Sequence, residues 1–123
     1  MTAFERFKRK KRLDRKGKFP FVTIIKNGFR FSKKAFELYI GSKSHIELFW
    51  DEENKRIGFK VLGNPSENSY RVYLSRQKPP IALVYCSDFI NEFQLKEFVG
   101  HCFVLKKDGE TVDFYIELKK REE

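Results

Sequence analysis

The sequence predicts an α+β fold: a β-rich, barrel-like domain of about eight strands and two short helices, built as a tandem ββαββ pseudo-repeat. Three observations predict it. Short runs of alternating apolar residues recur along the chain, separated by Asn-Gly, Gly-Asn-Pro and Asp-Gly turn signals. Two stretches of helical period are followed by glycines, Gly41 and Gly100. The order strand, strand, helix, strand, strand then occurs twice, over residues 20–62 and 70–118.

The body begins at Phe19-Pro20, and residues 21–26 are β-branched and apolar. Asn27-Gly28 follows, then Phe29-Arg30-Phe31. Asn-Gly between two such runs predicts a type I′ hairpin turn with positive φ at both residues. Ser32 is placed to cap a short helix over 33–40, whose Ala35, Phe36, Tyr39 and Ile40 share one side. Gly41 ends that helix. Residues 45–50 and 56–62 read as a hairpin around the polar turn 51–54, and GNPSENS (63–69) as the internal boundary.

The second half supplies strands over 70–75 and 81–86. Ser87 or Asp88 caps a helix running to about Val99, with Phe89, Phe93, Leu95 and Phe98 on its buried face. Residues 101–107 and 111–118 form a last hairpin around Asp108-Gly109. Residue by residue, Gly41 matches Gly100, His45 matches His101 and Leu62 matches Leu118. In that reading residues 19–123 are a single globular domain, with 41% apolar residues and fourteen Phe to fill its core.

Charge divides the chain unevenly. The first nineteen residues carry nine basic side chains against Glu5 and Asp14, a net +7, while the whole chain is +9. Lys8, Arg9, Lys10, Lys11, Arg12, Arg15, Lys16 and Lys18 fall in this arm. Five consecutive like charges repel one another, so the arm, residues 1–18, is expected to be disordered when free. Such an arm implies a polyanionic partner, and it can supply affinity through phosphates without choosing a sequence.

Several classes are excluded or lack support. No apolar run approaches the roughly 20 residues of a membrane span, and no apolar segment follows the charged start as a secretory signal requires. A cytoplasmic protein is expected, with Cys86 and Cys102 as reduced core thiols. The chain has no GxxxxGK[ST], GxGxxG or GxSxG, so no cofactor is expected and no enzyme reading has a motif behind it. His45, His101, Cys86 and Cys102 match no zinc spacing, and Asp51, Glu52 and Glu53 read as a solvated hairpin turn. Tyr39, Trp50, Tyr70 and Tyr73 are candidate stacking surfaces, against the simpler reading that they pack the core.

The stretch FRFSKKAFELYIGSKSHIELFWDEENKRIGFKVL (29–62) resembles the AbrB-like, swapped-hairpin members of the cradle-loop barrels. The matching positions are Phe29 and Phe31, Ser32, Ala35 and Phe36, Gly41, Ile46 and Leu48, Asp51, and Ile57 and Phe59. Residues 89–118 look like a degenerate second copy. The resemblance implies two interdigitating copies, here within one chain, and a DNA-binding regulator or antitoxin that reads DNA from one barrel face. Lys26, Arg30, Lys33 and Lys34 match the positions of that face. The second copy has Cys86, Ser87, Asp88, Asn91 and Glu92 in the equivalent place, leaving Arg71, Arg76 and Lys78 to rebuild it.

The expected function is therefore a small nucleic-acid-binding protein, DNA favoured over RNA, acting as a DNA-binding transcriptional regulator. The alternative is a protein-interaction module of a phage, plasmid or host complex whose arm docks on an acidic protein partner. Either a monomer or a homodimer fits the sequence.

Overall fold

In the computed structural model, residues 19–78 and 80–118 are described. Nine antiparallel strands form one nearly closed, barrel-shaped sheet accompanied by two short helices. The strands are β1 (Phe21–Ile25), β2 (Gly28–Phe31), β3 (His45–Asp51), β4 (Arg56–Leu62), β5 (Ser69–Leu74), β6 (Ala82–Tyr85), β7 (Cys102–Val104), β8 (Lys106–Lys107) and β9 (Phe114–Glu117). Their order across the sheet is β7-β1-β2-β6-β5-β3-β4-β9-β8.

One bent run of chain closes the barrel. β7 pairs with β1 at one end of the sheet, and β8 pairs with β9 at the other. Only Leu105 separates β7 from β8. Its side chain is buried, and its backbone N–H donates to the carbonyl of Pro20 at 3.0 Å. An apolar side chain at the bend thus anchors a strand that must leave one neighbour for another.

Alternation fills the interior. Phe29 and Phe31 of β2, Ile46 of β3, Ile57 and Phe59 of β4, Val84 of β6, and Phe114 and Ile116 of β9 are all fully buried. The ring of Phe59 lies 5.3 Å from each of Phe29, Phe31 and Phe114, edge-on to the first two and stacked on the third. These are favourable aromatic geometries and join three hairpins at one point. Among the described residues, no buried side-chain nitrogen or oxygen lacks a hydrogen-bond partner.

Both helices depart from the sequence expectation. The first, α1, is helical over Lys33–Ala35 and continues as a π-type turn over Phe36–Ile40, with Gly41 N–H donating to the Phe36 carbonyl at 2.8 Å. Ser32 caps it as expected, accepting from Ala35 N–H at 3.1 Å. The wider turn lets Ala35 and Ile40 both reach the interior. The second helix, α2, stops at Ser87–Glu92. Gln94 then adopts φ 53°, and a 3₁₀ turn follows over Leu95–Phe98. The single helix to Val99 is broken because Ile90 and Leu95 both have to point inward.

The first hairpin is also corrected. Its register pairs Ile25 with Gly28, so Lys26 and Asn27 are the turn residues. Neither Asn27 nor Gly28 has positive φ, so the turn is not type I′. Gly28 is needed for a different reason: an added Cβ would lie 1.8 Å from the Val84 carbonyl oxygen on β6. The last hairpin holds a longer loop than expected, in which the Asp108 carboxylate accepts from the backbone N–H groups of Glu110 and Thr111.

Two substitutions test this packing. Phe59→Ala should cost about 3–5 kcal/mol in denaturant unfolding, as for other buried aromatic truncations. Gly28→Ala should also destabilise, through steric separation of β2 from β6 rather than through turn conformation, and a melting curve for the variant reads it directly.

Candidate nucleic-acid interface

Strands β2, β6 and β5 are consecutive neighbours, and their outward residues form one face. Because Phe29 and Phe31 point inward, Arg30 points out between them and is exposed. Across the sheet Arg30 stands opposite Thr23 on β1 and Leu83 on β6. Leu83 in turn stands opposite Tyr73 on β5. The next outward position on β6 is Tyr85, opposite Gly28.

Tyr73 and Tyr85 are about half exposed, at 48% and 51%, with ring centroids 5.6 Å apart and tilted by 55°. The Arg71 guanidinium lies 5.7 Å from the Tyr73 centroid, within cation–π range. Basic and aromatic groups therefore share this face. Arg71 pairs with His45 in the β3–β5 register, and Ser44 Oγ lies 2.7 Å from His45 Nδ1.

The other predicted body residues spread along β2 rather than cluster. Lys26 is exposed in the turn before the strand, and Lys33 and half-buried Lys34 begin α1 after it. The four residues of β2 separate these ends by roughly 13 Å at the usual rise. Lys8, Arg9, Lys10, Lys11, Arg12, Arg15, Lys16 and Lys18 lie outside the described residues.

Three of the four candidate aromatics are committed to packing or internal bonds. Tyr39 packs on Phe114 at 4.7 Å. Trp50 stacks on Phe93 at 4.7 Å and donates Nε1–H to Glu52. The Tyr70 hydroxyl donates to Asp88, and burial together with that carboxylate pushes its pKa up to about 12. Of the four, Tyr73 alone stays on the surface, where its ring meets that of Tyr85. The signal for Tyr85 was present: Ala82, Val84 and Cys86 alternate as inward residues, which turns Leu83 and Tyr85 outward.

Elsewhere the chemistry runs the other way. A cleft of about 560 Å³ is lined by the carboxylates of Glu47, Glu67 and Asp88 and the rings of Trp50, Tyr70 and Phe93. Its negative charge disfavours phosphate. Among the described residues no group of three or more His, Cys, Asp or Glu side chains converges as a metal site would need. Cys86 is buried, with its thiol pushed up to about 12 chiefly by burial. Cys102 Sγ sits 3.1 Å from Thr23 Oγ1.

The turn between β3 and β4 is held by its own ions. Asp51 accepts from the backbone and side chain of Asn54 and from Arg56 Nε and Nη2, at 2.7–3.2 Å. These bonds hold the Asp51 carboxyl down at about 2.

Comparison with family models, with curated proteins and with solved structures finds no match. Among the described residues no helix is long and apolar enough to cross a membrane.

The Asp51 turn gives a pH prediction. Its folded pKa lies below the unfolded carboxylate value of about 3.9, so its contribution is complete above that pH. The contribution is lost as pH falls through about 2. The stability gap between wild type and Asp51→Asn should therefore be constant above pH ~5 and shrink toward pH ~2, as read by denaturant titration at each pH.

Proposed function

We propose that this chain is a small nucleic-acid-binding protein, DNA favoured over RNA, acting as a DNA-binding regulator of the AbrB-like, swapped-hairpin kind. The observation that carries the proposal is the joint distribution of charge: a +7 arm in the first nineteen residues and a barrel face that presents Arg30 and Arg71 beside exposed rings. The arm supplies phosphate contacts through Lys8, Arg9, Lys10, Lys11, Arg12, Arg15, Lys16 and Lys18. Lys26, Arg30, Lys33 and Lys34 extend the contact along β2.

The same reading takes the body as a duplicated ββαββ unit, and the pairings support it. Exchanging β1 with β5, β2 with β6, β3 with β7 and β4 with β9 maps every neighbour pair among these strands onto a neighbour pair, itself or another, except β3–β4. The counterpart of that pair, β7–β9, lies at the seam of the barrel. Buried positions follow at one constant spacing: Phe29 with Val84, Phe31 with Cys86, Ala35 with Ile90, Ile40 with Leu95. Two backbone bonds correspond under the same strand exchange, though not at that spacing: Val72 N–H to the Ser44 carbonyl and Ile24 N–H to the His101 carbonyl. These bonds set His101 against Ser44, one residue from the His45 match read in the sequence.

A second reading keeps the arm but gives it an acidic protein partner. The exposed Leu74, Tyr73 and Tyr85 favour it, since an apolar group at the surface also suits a protein interface.

A salt titration separates the two. If about five arm cations engage duplex phosphates, log K for the full chain should fall against log salt with a slope near −4.5. Removing residues 1–18 should flatten the slope and leave any sequence preference with the body. Absence of salt-sensitive binding to duplex DNA, single-stranded DNA and RNA at low ionic strength would overturn the proposal.

A further inference from the structure

We infer that Tyr73 and Tyr85, flanked by Arg71 and Arg30, form a stacking platform for the unpaired bases of a single-stranded nucleic acid. This rests on the nucleic-acid part of the proposed function and gives the body a single strand in place of the duplex that an AbrB-like face would read. A ring can stack on a base only where the base's face is uncovered, which a duplex prevents and a single strand allows. Sequence-tolerant single-strand surfaces combine such rings with cations that follow the backbone.

The face has both parts in adjoining positions. Outward residues run Arg30, Leu83 and Tyr73 across three neighbouring strands, and beside them Tyr85, Arg71 and His45. None of these six side chains is acidic. Arg30 and Tyr73 stand two strand spacings apart, about 10 Å, so a phosphate next to a base on Tyr73 falls within reach of Arg30. Asp88, which follows Tyr85 by three residues, is already engaged by the Tyr70 hydroxyl.

Two features favour a single strand over a second copy of the chain and over a duplex. A twofold pairing of two copies through this face would gather four guanidiniums, Arg30 and Arg71 of each copy, into one interface. On the duplicated reading, the constant spacing that equates Phe29 with Val84 also equates Arg30 with Tyr85. One of two symmetric cations is thus exchanged for a ring. A duplex-reading face would lose a phosphate or base-edge contact by that exchange, whereas a single-strand face gains a stacking surface.

The test uses the full chain, a labelled oligothymidylate of about 12 nucleotides and a duplex of the same length, with binding read by fluorescence anisotropy at low salt. Tyr73→Ala combined with Tyr85→Ala should weaken oligothymidylate binding about 10–100-fold and leave duplex binding within about twofold. Tyr73→Phe combined with Tyr85→Phe should retain both, because the ring and not the hydroxyl carries the contact. Both positions are exposed, and a thermal melt confirms that each variant folds.

The platform is wrong if the alanine pair binds oligothymidylate like wild type, or weakens both probes equally, while salt-sensitive binding persists. In either case the nucleic-acid function survives without it. Wild-type protein that binds neither probe sinks both ideas together. A shift from dimer to monomer in sedimentation on making the alanine pair, with oligothymidylate binding unchanged, would assign the face to self-association instead.

Discussion

Phe59 meets Phe29, Phe31 and Phe114 at one contact in the middle of the barrel, and the rest of the molecule is arranged around it. The four rings come from β2, β4 and β9, strands brought together from separate hairpins. A sheet that curls on itself must fill its interior with side chains or leave a void, and voids cost contacts on every side. Phenylalanine meets that need with large rings and no polar atom to satisfy. Leu105 completes the arrangement by holding the bent strand that joins the two ends of the sheet.

This interior sets the outside. Inward Phe29 and Phe31 oblige Arg30 to face out, and inward Val72, Ala82, Val84 and Cys86 oblige Tyr73, Leu83 and Tyr85 to do so. The outer face is the complement of the core through the two-residue period of a strand. Gly28 then lets β2 and β6 approach closely enough to carry Arg30 and Tyr85 on one surface.

Much of the strand set was legible from the chain. The hairpin of β3 and β4, the Ser32 cap and the stop at Gly41 follow from alternation and turn chemistry, which act over a few residues. The helices were less legible. The π-type turn of α1 and the break at Gln94 in α2 answer to the barrel's interior, which asks Ile40 and Leu95 to turn inward whatever the local period prefers. Asn27-Gly28 does mark a hairpin, but Gly28 is required there by a close approach to Val84, which lies far away in sequence. Among the aromatics, Trp50 and Tyr70 could not be told from Tyr73 until Phe93 and Asp88 were seen to occupy them.

By itself the sequence determined the partition of charge, the alternation that separates inner from outer residues, and the order of the elements. Those properties are local, carried by neighbours two to four positions apart. Tertiary structure alone decided that residues 102–107 close the barrel, that Tyr85 stands beside Tyr73, and that Arg30 shares their face. Each depends on the register between strands remote in the chain, and register follows from how the whole set of inward side chains packs.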